Sequence, residues 1–443
     1  MEEQEDRISL LPDCLVGTIV SILQPKAAAR TMVLSHRWRH IWPSLPLDLN
    51  LETDSDARFL GATDSDARFL GAKSILSILS SHCGPIRRFC VTTLAGVGTC
   101  TWLQTLAERR IDDTLVLRFA SGMQHHPLPR SLLSSAGVAI RHLDLHCCRL
   151  GLPNNPYSPV QTLQHVEYLS LSDVIISEMA LHRMIEVCPV LSELHLSMID
   201  GLHRICFHSC TLTTMSISRP YVPLSEFSVS GTPAIKSIIF SYVNLWRIPT
   251  FIINVGNGRY PKLGLKLPNI DSPSLDTFSS KVSLPYITSL VIGMKFMNGE
   301  ELRKTIHILN LFKYLQHLEI LVIICSCFYF GLNSEVGYVD WEMVSETAIC
   351  QNKHLTHVQL RGYSATVGEL DFARCLIVRA QSLRSMDISH SVDLTPEDIS
   401  RQTESICRLG KASPLAQLFF TRSADSGYKR RKEARFLDRV TML

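Results

Sequence analysis

Beyond residue 85 one short pattern keeps returning along the chain: an apolar residue, two others, an apolar residue, one other, an apolar residue. It occupies 86–91, 140–145, 166–171, 191–196 and 212–217, and again 287–292, 315–320, 355–360 and 383–388. Alternation of this kind predicts short strands with one buried face. Taking the fourth position as a marker gives Phe89, Leu143, Leu169, Leu194 and Met215, and residues 114–117 add a member at Leu115. The markers advance by 26, 28, 26, 25 and 21 residues. Such a period implies strand-and-return units stacked side by side. The register weakens after Met215: similar phrases at 224–229 and 235–240 come at short intervals, and 245–285 shows little periodicity. Pro261, Pro268, Pro273 and Pro285 predict a loop-rich stretch there.

The first forty residues follow a different rule. Leu15, Ile19 and Leu23 recur every fourth residue, which stacks them on one face of a helix. Pro25 is expected to stop that helix, 26–34 can form a second, and Ser35 is placed to cap a third that Pro43 limits. Three helices in so short a segment fall below the size of a self-sufficient core. The apolar surface left over, Trp38 and Trp42 included, is therefore expected to go to a partner.

Leu11-Pro12, Leu15, Ile19, Leu23, Ala28, Arg30, Val33-Leu34-Ser35, Arg37-Trp38-Arg39 and Trp42 follow one another in an order that resembles the F-box. Residues 140–150 resemble a full leucine-rich repeat, with Cys148 in its Asn/Cys slot and Leu150 closing it. Residues 353–388, through 355–363, 369–373 and 380–388, resemble the FBD segment found behind the repeats of many plant F-box proteins. Together these identify the chain as similar to plant F-box/leucine-rich-repeat/FBD proteins. The resemblance implies an α/β chain: a three-helix F-box at 5–46, a connector at 47–84, an irregular leucine-rich-repeat solenoid at 85–345, an FBD-like C-terminal cap at 346–425 and a basic tail at 426–443. It also implies a non-catalytic substrate-recognition subunit of an SCF-type ubiquitin ligase. Leu11, Pro12, Leu15, Ile19, Leu23, Val33, Leu34, Trp38 and Trp42 would engage a Skp-family adaptor and, through it, a cullin. Part of that set must instead hold the helices together, and the sequence does not divide the roles. A ligase-independent interaction scaffold and a small-molecule sensor remain alternatives.

Within the connector, residues 53–62 are repeated without change as 63–72. A connector accepts such an insertion cheaply. The sharper reading is that it resets the docking module relative to the repeats, since ten helical residues would add about 15 Å.

Composition narrows the function classes. A net charge of +3 over 443 residues gives no global argument for nucleic acid or an anionic membrane surface. The most apolar run, 320–332, is too short for a membrane span. Fourteen cysteines include no Cys-x-x-Cys pair, and no Asn-x-Ser/Thr acceptor occurs, which favours a reducing compartment, nucleus or cytoplasm. The basic cluster at 429–432 reads either as an import signal or as a solvated tail.

Candidate chemistry is sparse. Alternation sends His142, Asp144 and His146, then Tyr168 and Ser170, Glu193 and His195, Thr214 and Ser216, and further on His357, Gln359 and Arg361, outward onto a shared sheet face. Of these, His142, Asp144, His146, Tyr168, Glu193 and His195 are the candidate target-binding residues. His142, Asp144 and His146 share a face, but no second-shell partner argues for a metal, and neither a metal nor a cofactor is expected. No Gly-x-Ser-x-Gly elbow or phosphate-binding glycine loop occurs; Gly96-Val-Gly98 and Gly256-Asn-Gly258 lack the rest of any nucleotide fingerprint.

Overall fold

The strand pattern becomes a set of parallel ladders in the computed structural model. It describes residues 10–23, 25–51, 72–93, 98–119, 125–133, 139–151, 163–241, 243, 248, 250–254, 262–266, 287–294, 309, 312, 314–322, 353–390, 394–408 and 410–422. The chain divides into two compact units, Met1–Leu202 and His203–Leu443. That division falls inside the stretch read as one solenoid.

The first unit opens with helices α1 (Asp13–Ile22) and α2 (Pro25–Arg30), a 3-10 turn at Thr31–Val33, and α3 (Trp38–Ser44). Pro25 does not merely end α1; it opens α2, where its missing N–H costs nothing. Ser35 acts near the start of α3 as expected, its Oγ accepting the Trp38 N–H at 3.4 Å. Pro43 lies inside the last turn of α3 rather than beyond it. The Arg37 guanidinium ties the entry of α1 to α3: it donates to Asp13 Oδ1 at 2.6 Å and to the Leu11 carbonyl.

Strands β1 (Leu47–Leu51), β2 (Ile86–Thr93), β3 (Ile111–Phe119), β4 (His126–Leu128), β5 (His142–Leu150), β6 (Tyr168–Ile175) and β7 (Glu193–Ser197) follow. They form a parallel sheet in the order β1-β2-β3-β5-β6-β7, with β4 added beside the far end of β5. The marker residues Phe89, Leu115, Leu143, Leu169 and Leu194 stand opposite one another in register, and all are buried. One residue before each strand, Arg141, Glu167 and Ser192 start the ladder: Glu167 N–H donates to the Arg141 carbonyl and Ser192 N–H to the Glu167 carbonyl, each at 2.8 Å. Parallel pairing needs crossovers, which α4 (Ala72–Ser81), α5 (Thr99–Ala107) and α6 (Glu178–Glu186) supply. Ser177 caps α6 by accepting the Ala180 N–H at 3.3 Å. Trp102 of α5 lies fully buried between Phe89 and Phe119, with ring centroids 6.1 and 6.4 Å away.

The described ends of the 47–84 stretch, 47–51 and 72–84, are tied into the fold. β1 pairs with β2, and the Cys83 and Gly84 N–H groups donate to the Pro43 carbonyl at 3.0 and 2.7 Å. A Cβ on Gly84 would lie 2.3 Å from the Leu45 carbonyl oxygen, so this close approach requires glycine. The duplicated segment, apart from Ala72, lies outside the described residues; it falls between β1 and α4, after the helices have already been joined to the sheet.

The second unit carries β8 (Arg204–His208), β9 (Thr214–Ser218), β10 (Glu226–Ser230), β11 (Ser237–Ser241), β12 (Thr250–Asn254), β13 (Lys262–Lys266), β14 (Ser289–Met294), β15 (His317–Val322), β16 (His357–Tyr363), β17 (Ser385–His390) and β18 (Gln417–Arg422). These strands alternate between two sheets at first. β9, β11 and β13 run on into β14-β15-β16-β17-β18, while β8, β10 and β12 form a separate three-stranded sheet. This accounts for the short intervals in the sequence. Phe227 of β10 aligns with Ile205 and Phe251, whereas Ile238 of β11 aligns with Met215 and Leu263. Residues 245–285 thus supply two strands, β12 and β13, rather than loop alone; the four prolines lie outside the described residues. Crossover helices α7 (Val367–Arg379) and α8 (Pro396–Cys407) both begin in capping boxes, Thr366 with Glu369 and Thr395 with Asp398. Strands β16, β17 and β18, from the stretch expected to form an FBD-like cap, extend the same parallel sheet as β15.

Among the described residues no helix is long and apolar enough to cross a membrane. The acidic first residues, Gln24, Cys325 and Cys327, Gly96-Val97, Gly256-Asn-Gly258 and the basic cluster at 429–432 lie outside the described residues.

Candidate functional site

Two surfaces stand out, and the helical module supplies the first. Its interior is filled by Val16 and Val20 of α1, Ala28 of α2, and Trp38, Ile41 and Trp42 of α3. Trp38 and Trp42 are only 8% and 9% exposed, so the expectation that their surface is left for a partner is corrected. Trp42 meets the buried His82 ring edge-on at 5.1 Å. Burial, with the Arg109 charge nearby, holds that imidazole below its ordinary pKa, so it sits against the indole in its neutral form.

The apolar surface left outside belongs to other members of the predicted set. Leu15 (48%), Ile19 (43%) and Leu23 (39%) remain exposed along α1 and at its end, and Val33 (85%) and Leu34 (64%) remain exposed at the 3-10 turn. Pro12 is exposed and Leu11 half-buried. Leu10 and Ile22 are also exposed large apolar side chains, and the sequence reading missed both. Ile22 carries a signal that could have found it, standing three residues after Ile19.

The second surface is the polar face of the first unit's sheet. His142, Tyr168 and Glu193 stand in one register row, and Asp144, Ser170 and His195 in the next. The His142 and Tyr168 rings stack at 4.1 Å and 4°, and His195 tilts onto the other side of Tyr168 at 5.0 Å. Neighbouring parallel strands lie about 4.8 Å apart, which sets this ring spacing. Burial, reinforced by the Asp144 carboxylate, pushes the Tyr168 hydroxyl up to about 12, so it stays a hydrogen-bond donor. Glu193 lies 3.6 Å from His195, whose hydrogen bond holds its carboxyl below the ordinary value.

Asp144 is not presented freely. It is buried, and Arg118 donates to Oδ2 from Nε at 3.1 Å and from Nη2 at 2.5 Å. His146 points elsewhere, its Nδ1 3.1 Å from the Phe119 carbonyl. His142, Asp144 and His146 are thus each engaged separately and do not converge. Thr214 and Ser216, expected outward, are buried.

The second unit's sheet has its own charged centre. Glu319 is buried between Lys262, with Nζ 3.4 Å from Oε2, and Arg361, with Nε 2.7 Å from Oε1. Arg361 Nη2 also donates to Gln359 at 3.0 Å, and the His317 and His357 rings stack at 4.8 Å. Burial, then the neighbouring His357 and Lys262, keeps His317 below its ordinary pKa. Arg118, Lys262 and Glu319 were not singled out from the sequence. Glu319 lies inside the phrase at 315–320 and Arg118 directly follows 114–117, while Lys262 falls where little periodicity is seen, and only pairing across strands shows which partner each one meets.

Residues 100–320 match a family model described as FBD-associated F-box protein At5g56370, LRR repeats. In Arabidopsis thaliana, the F-box/FBD/LRR-repeat protein At1g13570 is 25% identical over 455 residues, covering 95% of this chain and 99% of the relative. The F-box/FBD/LRR-repeat protein At5g53840 is 30% identical over 258 residues, 54% of this chain and 53% of the relative. F-box/LRR-repeat protein 13 is 29% identical over 199 residues, 43% and 41% respectively. In these two partial matches the chain spans about half the length of the curated relative. Parallel strands at a repeat period in the twenties, a repeat model over their middle and a relative matched from end to end agree with one another: the chain belongs to the plant F-box/FBD/leucine-rich-repeat family.

Proposed function

We propose that this protein is a non-catalytic substrate-recognition subunit of an SCF-type ubiquitin ligase. Its helical module docks on a Skp-family adaptor and its sheet faces hold a protein target. The observation that carries this reading is the outer face of α1 and the 3-10 turn. Leu15, Ile19, Leu23, Val33 and Leu34 stay exposed although the module has a filled interior of its own. Five large apolar side chains left outside a formed core, within twenty residues of one another, point to an interaction surface. Trp38 and Trp42 act indirectly here, by holding the helices in place beneath that face. Holding a target near a ubiquitin-charged enzyme gains rate through proximity alone, so no reactive constellation is required of this chain.

The target surface in this reading is the His142–Tyr168–His195 row with Glu193 and the Arg118–Asp144 pair, a mixed aromatic and charged patch of the kind that anchors interfaces. Nucleus and cytoplasm, where cysteines stay reduced, are the compartments that suit it. The test is co-purification of the full chain with a Skp-family adaptor and a cullin. The parent should retain the adaptor, and Leu15→Asp/Ile19→Asp should release it while keeping its far-ultraviolet circular dichroism. A folded double variant that still brings down the adaptor would remove the basis of the assignment.

A further inference from the structure

Three groups of metal-ligand type meet at the far ends of β5 and β6. The ladder between these strands pairs His146 with Ser172 and then Cys148 with Val174, passing over Cys147 and Asp173. Both skipped residues have left-handed backbone, φ 54° and 53°. That conformation costs a non-glycine residue about 1–2 kcal/mol, and it occurs at equivalent places in successive repeats. Met198 and Arg219, four residues after their own markers, are left-handed as well, so this bulge belongs to the repeat; at β5 and β6 the two residues it falls on are Cys147 and Asp173. His125 completes the group, because β4 begins at the next residue and pairs His126 with Cys148. One ligand atom from each of His125, Cys147 and Asp173 lies within 4.8 Å of the others, with Cys147 and Asp173 buried. His125 Nε2 is 3.0 Å from Asp173 Oδ1.

We propose that His125, Cys147 and Asp173 form a binding site for a zinc-class divalent metal, with the fourth coordination position open to solvent beside His125. Thiolate and imidazole select zinc or a similar transition ion over magnesium and calcium, and a carboxylate completes a common zinc donor set. Around a tetrahedral ion the donor atoms would stand about 3.3–3.6 Å apart. The widest separation therefore has to close by roughly 1 Å, within reach of side-chain rotation, and the His125–Asp173 pair is already closer than that. Binding replaces the hydrogen bond between those two groups, and the Cys147 thiol gives up its proton to solvent as the metal–sulfur bond forms. The consequence is a staple joining the segment before β4 to two successive strand ends. It stands independently of the proposed adaptor docking.

Cobalt(II) titrated into the metal-stripped full chain tests the site. The expected result is one tightly bound ion per chain, with the visible bands of four-coordinate cobalt and a thiolate-to-cobalt charge-transfer band. Cys147→Ser should abolish the charge-transfer band. Loss of second-shell partners already weakens metal sites by up to about 100-fold, so Cys147→Ser, Asp173→Asn and His125→Gln should each cost at least that much. Cys100→Ser, at an exposed cysteine elsewhere, should change nothing. Asparagine tolerates left-handed backbone, so Asp173→Asn decides the matter if Cys147→Ser folds poorly. No thiolate–cobalt band at saturating cobalt, or bands that survive Asp173→Asn and His125→Gln in folded protein, would overturn the site.

Discussion

Replacing Val33 by aspartate and, separately, Trp42 by alanine should split adaptor binding from folding. The exposed fractions of Leu15, Ile19, Leu23, Val33 and Leu34 add up to nearly three whole side chains. At about 1.5–3 kcal/mol per side chain, a partner covering all five would gain roughly 4–8 kcal/mol. Association itself costs about 4–15 kcal/mol, so this face anchors an interface without supplying all of it. Val33, at 85% exposure, contributes about 1.5–2.5 kcal/mol, and a carboxylate in its place adds a desolvation penalty. Val33→Asp should therefore weaken adaptor binding by about 10- to 100-fold or more, with thermal stability changed by no more than about 0.5 kcal/mol. Trp42→Ala removes a buried indole packed on His82, which should cost about 3–5 kcal/mol of stability. Calorimetric titration against a Skp-family adaptor, with thermal melts of each variant, reads both quantities. Parent-like affinity in Val33→Asp, or parent-like stability in Trp42→Ala, would refute the division of roles.

Three further outcomes follow from the geometry. Asp144→Asn removes the buried partner of a half-exposed Arg118 and should cost about 1–3 kcal/mol in urea unfolding, with Arg118→Ala costing less and a double-mutant cycle showing the coupling. Glu369 is buried, and burial holds its carboxyl above the ordinary value against the hydrogen bonds from Ser364 and Thr366, so the folded state binds its proton more tightly than the unfolded chain does. Stability should therefore gain as pH falls through the raised folded value towards 4.5 and be lost on the way back up; Glu369→Gln, which keeps the capping box, should flatten that dependence in melts across the acid range. Gly231→Ala places a Cβ 1.7 Å from His208 Cε1 at a backbone φ of +59°, and because the exposed ring can swing aside, the lasting cost is the backbone's, about 1–2 kcal/mol, which adding His208→Ala should not recover.

What could be read from the chain depended on whether a residue's role is local. Phe89, Leu115, Leu143, Leu169 and Leu194 were visible because each fills the same slot of its own repeat, and they align in register. The start of the second unit was harder to read because Phe227 and Ile238 sit in the same local pattern and differ only in which strands they join. In α1 the every-fourth-residue stripe of Leu15, Ile19 and Leu23 is followed one residue later by Val16 and Val20, and periodicity cannot say which stripe faces inward. The core went to the valines and to the tryptophans of α3, leaving the leucines outside. His142, Tyr168, Glu193 and His195 do meet on one face, whereas Thr214 and Ser216 are buried, and the partners of the charged positions were not foreseeable: Arg118 and Asp144, or Lys262, Glu319 and Arg361, meet only through strands far apart in sequence.

The pairing of β15 with β16 has one more consequence. Leu318 and Val358 lie side by side although forty residues separate them, while Val358 and its next neighbour Met386 are only twenty-eight apart. The sheet keeps its count in hydrogen bonds, not in residues. Chain can be spliced in or out between rungs without moving any rung, whereas a single residue added within one would turn its whole strand inside out. An insert placed outside the strands leaves the pairing of β15 with β16 in register, and one placed inside either strand does not.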